Sequence, residues 1–299
     1  MSFTYTDDGK APIVAIEETP TSRRFIYLDK EGEVGPPGTS ILDEVLDPLT
    51  IAQISDCLTR EMTLREMCRI LDEPDEESPS LSSIYITDKS TMLIPLPSEE
   101  TERVFVAGES GCGKTTVART YADNYNHMFP YNPIWIFARQ EADPAFDGLK
   151  RHEIVVDSSI PESQQDIDDI LSGAISLDQL ANSLVIFDDM DNLQEGKLLK
   201  AVHKLMNDVV TNGRKKDIHM IYISHLILNY QQTRIILNEA NKVFFFPGCG
   251  SRQIEAFLKT YASMKAAEIQ RIVSLKSRWV MLSRKVPRYI IYEKGIFLL

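Results

Sequence analysis

The sequence predicts an α/β fold built on a mostly parallel sheet. Three observations point there. From residue 101 onward, short apolar runs alternate with segments of helical period, the pattern of strands joined by crossover helices. One run, Val104-Phe105-Val106, leads into the glycine-rich stretch Gly108-Glu109-Ser110-Gly111-Cys112-Gly113-Lys114-Thr115, which itself opens a helix. Another, Leu184-Val185-Ile186-Phe187, ends in Asp188-Asp189, and open α/β sheets place their ligand crevice at that end of the strands.

Taken in order, residues 1–20 are expected to be a flexible tail. Residues 21–98 are expected to form a small acidic α+β region. Within it, 25–28 reads as a strand that Gly35-Pro36-Pro37-Gly38 breaks. Asp47-Pro48 pairs an N-cap with proline at the first helical position, so a helix should run to about residue 58. Thr63-Leu64-Arg65-Glu66 is a capping-box pattern that opens a second helix. Two short helices suggest a helix-turn-helix, but the acidity of the region opposes DNA binding. Residues 73–83 are acidic and rich in Pro and Ser, the composition of a linker. Residues 83–97 read as a strand pair leading into the main domain, 99–299.

In that domain the strands are expected at 103–107, 134–137, 153–156, 184–187, 220–224 and 243–246. Helices are expected at 114–126, 163–171, 196–211, 226–238 and 251–261. The third of these is well marked. Leu198, Leu199, Val202, Leu205, Met206 and Val209 share one helical face, and Gly213 ends it. Residues 278–283 and 288–292 flank Pro287 and read as a C-terminal antiparallel hairpin. The chain shows no internal repeat.

Composition narrows the function classes. The 299 residues are 43% hydrophobic and 25% charged, a globular mix. No apolar run approaches the roughly 18 residues that span a bilayer. The first residues lack the basic and apolar regions of a signal peptide, so a cytosol-like compartment is expected. Cys57, Cys68, Cys112 and Cys249 form no CxxC pair or zinc spacing and read as reduced thiols. The net charge of −12 is unevenly spread. Residues 1–100 carry 8 basic and 21 acidic side chains, 101–200 carry 8 and 17, and 201–299 carry 16 and 6. The whole-chain charge argues against general coating of nucleic acid, while the basic last third leaves room for one phosphate-facing surface.

The glycine-rich stretch fits G-x-x-x-x-G-K-[ST] in the strand–loop–helix context that makes the motif a P-loop. Its glycines let backbone N–H groups curl around phosphate oxygens, and the helix N-terminus adds partial positive charge. Gly108 to Thr116 are the expected nucleotide-binding residues. Lys114, read as an exposed loop charge, would reach the β- and γ-phosphates of ATP, and Thr115 would ligate Mg²⁺. Cys112 reads as a small loop residue rather than a nucleophile. The run ending in Asp188-Asp189 fits a Walker B strand, with Asp188 holding Mg²⁺ through water and Asp189 polarising the attacking water. Ile221-Tyr222-Ile223-Ser224-His225 is a second buried strand with polar residues at its end. Ser224 or His225 would sense the γ-phosphate there, or His225 is a satisfied structural histidine. Asn212-Gly213-Arg214-Lys215-Lys216-Asp217 is either a solvated basic turn or carries an arginine finger, Arg214, for a neighbouring subunit. Arg234 and Arg252 also follow strands and stay open as alternatives.

Together these residues resemble the FtsK–HerA superfamily of DNA-pumping ATPases, and within it the genome-packaging ATPases of large double-stranded DNA viruses, the poxvirus-type group. The resemblance covers roughly residues 100–295. It rests on 108–115, 184–189, Asn212-Gly213-Arg214 upstream of 221–225, Val243-Phe244-Phe245-Phe246-Pro247, and the closing segment with Trp279 and Tyr289. It implies a RecA-like P-loop NTPase core and a homo-oligomeric ring of five or six subunits with nucleotide between neighbours. It also implies double-stranded DNA as partner, contact with capsid or portal-vertex proteins, and action in the host cytoplasm, at the viral assembly site or in the virion. Two departures stand out. The superfamily usually has Glu where this chain has Asp189, and often Gln near the position of His225. A nucleotide or small-molecule kinase would need an Arg-rich lid, and an AAA+ ATPase acting on protein would normally end in a helical lid. Neither stands out in this sequence.

Overall fold

The computed structural model describes residues 2–5, 11–29, 83–86, 88–139, 143–157, 159–190, 193, 196–228 and 233–299. The helices and helix-turn-helix expected between 47 and 70, and most of the 73–83 linker, lie outside them. The chain divides into two compact units, Met1–Leu96 with Val286–Leu299, and Pro97–Lys285. The sequence reading placed the boundary near 98 and kept the C-terminus with the main domain.

The first unit carries β1 (Ser2–Thr4), β2 (Ile13–Glu18), β3 (Arg23–Asp29), β4 (Ser83–Tyr85), β5 (Met92–Pro95), β13 (Tyr289–Tyr292) and β14 (Gly295–Leu298). Residues 1–20, expected as a flexible tail, therefore contain two strands. Phe3, Val14, Ala15 and Ile16 are buried in them, and that apolar burial holds the segment in place. β1, β3, β2 and β5 form an antiparallel sheet in that order. β13 and β14 make a hairpin, with β4 antiparallel on the far side of β14. β4 and β5, expected to pair with each other, do not. The Glu293-Lys294 turn stands between them, its carbonyls accepting from Leu93 N at 2.9 Å and Ile86 N at 2.8 Å.

The second unit is the α/β core. Its elements are β6 (Arg103–Ala107), α1 (Lys114–Met128), β7 (Ile134–Ala138), β8 (His152–Val155), α2 (Gln164–Ser172), β9 (Ser183–Asp188), α3 (Lys197–Asn212), β10 (Ile218–Ser224), α4 (Arg234–Glu239), β11 (Lys242–Phe245), α5 (Ser251–Thr260), α6 (Ala266–Val273) and β12 (Val280–Ser283). The sheet order is β12-β11-β6-β10-β9-β7-β8. The six strands from β11 to β8 are parallel, and β12 is antiparallel to β11. Each expected strand is present within two residues of its bounds. The sequence reading missed α6 and β14, and α4 starts later than expected.

Buried parallel strands should be apolar on both faces. β6 and β10 are buried along their whole length, and β9 along all but its last residue. α1 packs on β6 and β10, and α3 packs on β10 and α2. At the starting edge of the sheet a buried ion pair ties β11 and α1 to Glu102, the residue before β6. Lys242 Nζ of β11 meets Glu102 Oε2 at 2.8 Å, and the Tyr121 hydroxyl of α1 donates to the same oxygen. Among the described residues no helix is long and apolar enough to cross a membrane.

Candidate nucleotide site

Because the strands are parallel and in register, their C-terminal ends share one edge of the sheet. Ser224 lies opposite Ala107, Ile223 opposite Asp188, and Ala138 opposite Asp188. The loop after β6, the acids at the end of β9, His225 and the residue after β7 are thereby brought together. They line a cavity of about 560 Å³ with Ser110, Gly111, Gly113, Lys114, Thr115, Thr116, Arg139, Asp143, Asp188, Asp189 and His225 on its walls. β10 stands between the P-loop strand and the Asp188 strand, which brings the end of 221–225 between the two motifs.

The P-loop takes its shape from its glycines. Gly111 and Gly113 have φ of 77° and 101°, in the left-handed region that side chains disfavour. Gly113 is the N-cap of α1 with no side chain capping it, and the first turn holds no acid. The first N–H groups of the helix are therefore open to an anion. Gly108 is needed for close approach instead. A Cβ there would lie 2.7 Å from both Cys112 Sγ and Phe246 Cδ2.

Lys114 is buried, 7% exposed, rather than the exposed loop charge expected from sequence. It begins α1, and its Nζ donates to Glu109 O at 3.0 Å and stands 3.5 Å from His225 Nδ1. The loop carbonyl thus holds the ammonium in place inside the site.

Asp189 has φ of 54°, a left-handed conformation that Asp tolerates. Successive residues of a straight strand point to opposite faces, and this kink lets both Asp188 and Asp189 line the cavity. Asp189 Oδ1 lies 2.8 Å from His225 Nε2. Lys114, His225 and Asp189 therefore form one line across the site. The Asp188 carboxyl is pushed up to about 7 by burial, then by the Asp189 and Asp143 charges, against the opposing effect of Lys114 and His225. A cation beside it would relieve that crowding.

The two sensor candidates separate. His225 lines the cavity. Ser224 is fully buried behind it, its hydroxyl donating to Leu226 O at 2.8 Å and accepting from Leu226 N at 3.1 Å. Of the nine P-loop residues expected to bind nucleotide, Ser110, Gly111, Gly113, Lys114, Thr115 and Thr116 reach the cavity wall, while Gly108, Glu109 and Cys112 support it from behind. Burial raises the Cys112 thiol, which fits a structural loop residue. Arg214 does not reach the site. It is exposed in the 3-10 turn Gly213–Lys216 just before β10 begins, at the edge of the sheet opposite the cavity. Arg234 and Arg252 are exposed and do not line the cavity either.

Sequence reasoning assigned no role to Arg139 and Asp143. The available signal was that Arg139 comes two residues after the end of the strand expected at 134–137.

Among the described residues no three His, Cys, Asp or Glu side chains form a metal cage. Mg²⁺ is usually held by one or two side chains together with substrate phosphates. Thr115 and Asp188 line the same cavity and supply the oxygen donors such an ion takes.

Residues 99–229 match an AAA domain family. Over 196 residues the chain is 37% identical to the uncharacterized protein V3 of Sputnik virophage, covering 65% of this chain and 76% of that protein. Among solved structures, it is similar to B204, the DNA-packaging ATPase of Sulfolobus turreted icosahedral virus. That match has a TM-score of 0.44 and 13% identity, over 64% of this chain and 97% of that one. The conjugation coupling protein TcpA of pCW3 matches with a TM-score of 0.42 and 10% identity, over 96% of this chain and 78% of that one.

Proposed function

From a chain that belongs to the same family as the virophage protein V3, and that is a P-loop ATPase, we propose an ATP-driven motor of the FtsK–HerA type that moves double-stranded DNA, packaging a viral genome into a capsid. The observation that carries the reading is the strand order β6-β10-β9, which sets His225 beside both Lys114 and Asp189 in one cavity.

In this reading the P-loop amides and the α1 N-terminus cradle the ATP phosphates, and Lys114 neutralises the transferred group. Thr115 and Asp188 hold Mg²⁺, which when bound offsets phosphate charge. Asp189 accepts a proton from the attacking water. His225 holds Asp189 on one nitrogen and senses the γ-phosphate through Lys114 on the other. The basic 201–299 segment, with 16 basic against 6 acidic side chains, supplies the phosphate-facing grip on DNA. Subunits form a ring of five or six in which Arg214 reaches a neighbour's nucleotide. The motor meets capsid or portal-vertex proteins at the assembly site in the host cytoplasm, or in the virion.

The deciding experiment measures ATP turnover by the full chain with and without duplex DNA across a salt series. Stimulation should be strong at low salt and fall steeply toward physiological salt, since each neutralised phosphate releases counterions. Turnover that ignores DNA at every salt concentration refutes the motor and leaves the kinase and the protein-acting AAA+ readings.

A further inference from the structure

Arg139 follows the last residue of β7, and β7 runs in register beside β9 with Ala138 opposite Asp188. Arg139 is the residue that follows this last pair of the ladder. Its side chain lines the same cavity as Gly111, Lys114 and Thr115. Lys114 and Arg139 are the lysine and arginine of that lining, and their circumstances differ. The Lys114 ammonium is already held by Glu109 O. Arg139 is partly buried and, among the described residues, makes no hydrogen bond or ion pair. The exposed Ser159 turn and, more weakly, Arg139 hold Asp157 below the usual carboxylate range, so Asp157 is an acid near enough to feel this guanidinium.

The wall next to Arg139 is anchored. Asp143 Oδ1 caps its 3-10 turn by accepting from Ala145 N at 2.8 Å. Arg119 of α1 donates to Ala145 O at 3.2 Å and to Asp147 O at 2.6 Å, and Phe146 is fully buried. The far end of the β7 loop is thereby tied to the helix that carries the P-loop lysine.

We propose that Arg139 contacts the γ-phosphate of the nucleotide held by its own subunit, and so distinguishes a nucleoside triphosphate from a diphosphate. The P-loop lies on β6 and the acids on β9, so a nucleotide whose β-phosphate sits in the loop directs its γ-phosphate across β10 toward β9 and β7. On that side the cavity is lined by an arginine that, among the described residues, has no hydrogen-bond or ion-pair partner. Its planar fork can meet two phosphate oxygens at once, which the Lys114 ammonium cannot. The two cations divide the work, Lys114 fixed in the loop and Arg139 closing on the terminal phosphate. The inference rests on the nucleotide-site reading of the cavity, and the experiment separates the two.

The test titrates fluorescent-labelled AMPPNP and ADP into the full chain, wild type and variants. Arg139→Ala should weaken the AMPPNP analogue about 10- to 100-fold, the range of one charge-assisted contact, while leaving ADP within about threefold. Retained ADP binding also shows that the variant folds. Arg139→Lys should restore part of the loss. Asp157→Asn should leave both affinities unchanged. Equal weakening of both nucleotides by Arg139→Ala, or none, overturns the proposal. So does an Asp157→Asn variant that reproduces the Arg139→Ala pattern, since Arg139 would then act only through Asp157. A Lys114→Ala variant that binds both nucleotides like wild type would instead remove the nucleotide site itself.

Discussion

Gly108→Ala is the substitution whose effect the geometry fixes most directly. The backbone of Gly108 is not in the left-handed region, so alanine is conformationally allowed there. The obstacle is space. The new methyl would lie 2.7 Å from Phe246 Cδ2, 3.4 Å from Phe246 Cε2 and 2.7 Å from Cys112 Sγ. Comfortable carbon–carbon contact is about 3.5–4.0 Å, so the ring must retreat by roughly an ångström or the loop must lift. The thiol can turn away. The ring cannot easily do so, because Phe246 is 2% exposed at the end of β11. Overpacking of this kind costs about 1–3 kcal/mol. Gly111→Ala is the control, since its Cβ meets nothing within 4 Å and it suffers only left-handed strain, about 1–2 kcal/mol. Because Gly108 begins the loop, lifting it also displaces the amides that face the cavity. Urea melts and AMPPNP binding should therefore show Gly108→Ala losing both stability and affinity, and losing more affinity than Gly111→Ala. Placing Gly108→Ala in a Phe246→Leu background should recover part of the loss relative to Phe246→Leu alone. Wild-type melting and binding by Gly108→Ala, or no recovery with the smaller side chain, would refute the close-approach argument.

Asp188→Asn should weaken Mg²⁺-dependent nucleotide binding, whereas Asp189→Asn should bind normally and lose about 10²–10⁴ in kcat, and full turnover by Asp189→Asn would place the base elsewhere. Lys242→Met should destabilise the chain by about 3–5 kcal/mol in urea melts, because it leaves Glu102 buried beside an apolar group, and adding Glu102→Gln should return part of that. His219 is buried against Tyr125 and Phe129, and burial, the largest cause, lowers its pKa to about 4. Between that value and the unfolded pKa near 6.5 only the unfolded chain binds the proton. The contribution is therefore complete above pH 6.5 and lost as pH falls toward 4, by at most about 3 kcal/mol. His219→Leu should flatten that part of the stability profile, and an unchanged profile would show that other groups set it.

The parallel core was legible because each of its strands is a short apolar run that must be buried on both faces, and 103–107 coincides with β6 to the residue. The P-loop and Asp188-Asp189 were legible for a different reason, since phosphate chemistry demands those residue types at those spacings. What stayed hidden depends on contacts distant in sequence. β2 alternates too weakly to be told from a tail until β3 and β5 pair with it. β14 belongs with β4, more than two hundred positions earlier in the chain. The burial of Lys114 is set by the Glu109 carbonyl and by His225, 111 residues away.

The arginines show the same limit within the site. Sequence order ranked Arg214 because it precedes the sensor strand, and passed over Arg139 because nothing near it forms a motif. Parallel register reverses what each can do for its own subunit's nucleotide. β10 runs seven residues from Ile218 to Ser224, roughly 20 Å at the rise of a strand, and Arg214 stands before its start. Its charge is felt by Arg103, the first residue of β6, at that same starting edge. No rotamer of Arg214 spans the buried sheet to reach Lys114, so any contact it makes with a nucleotide must be to one held by another chain. Arg139 stands at the finishing edge, one residue past the Ala138–Asp188 pair, and lines the same cavity as Lys114, so a phosphate it meets there is its own subunit's. The two positions are thus chemically alike and topologically opposite, and a defect at one should be repairable by mixing subunits while a defect at the other should not.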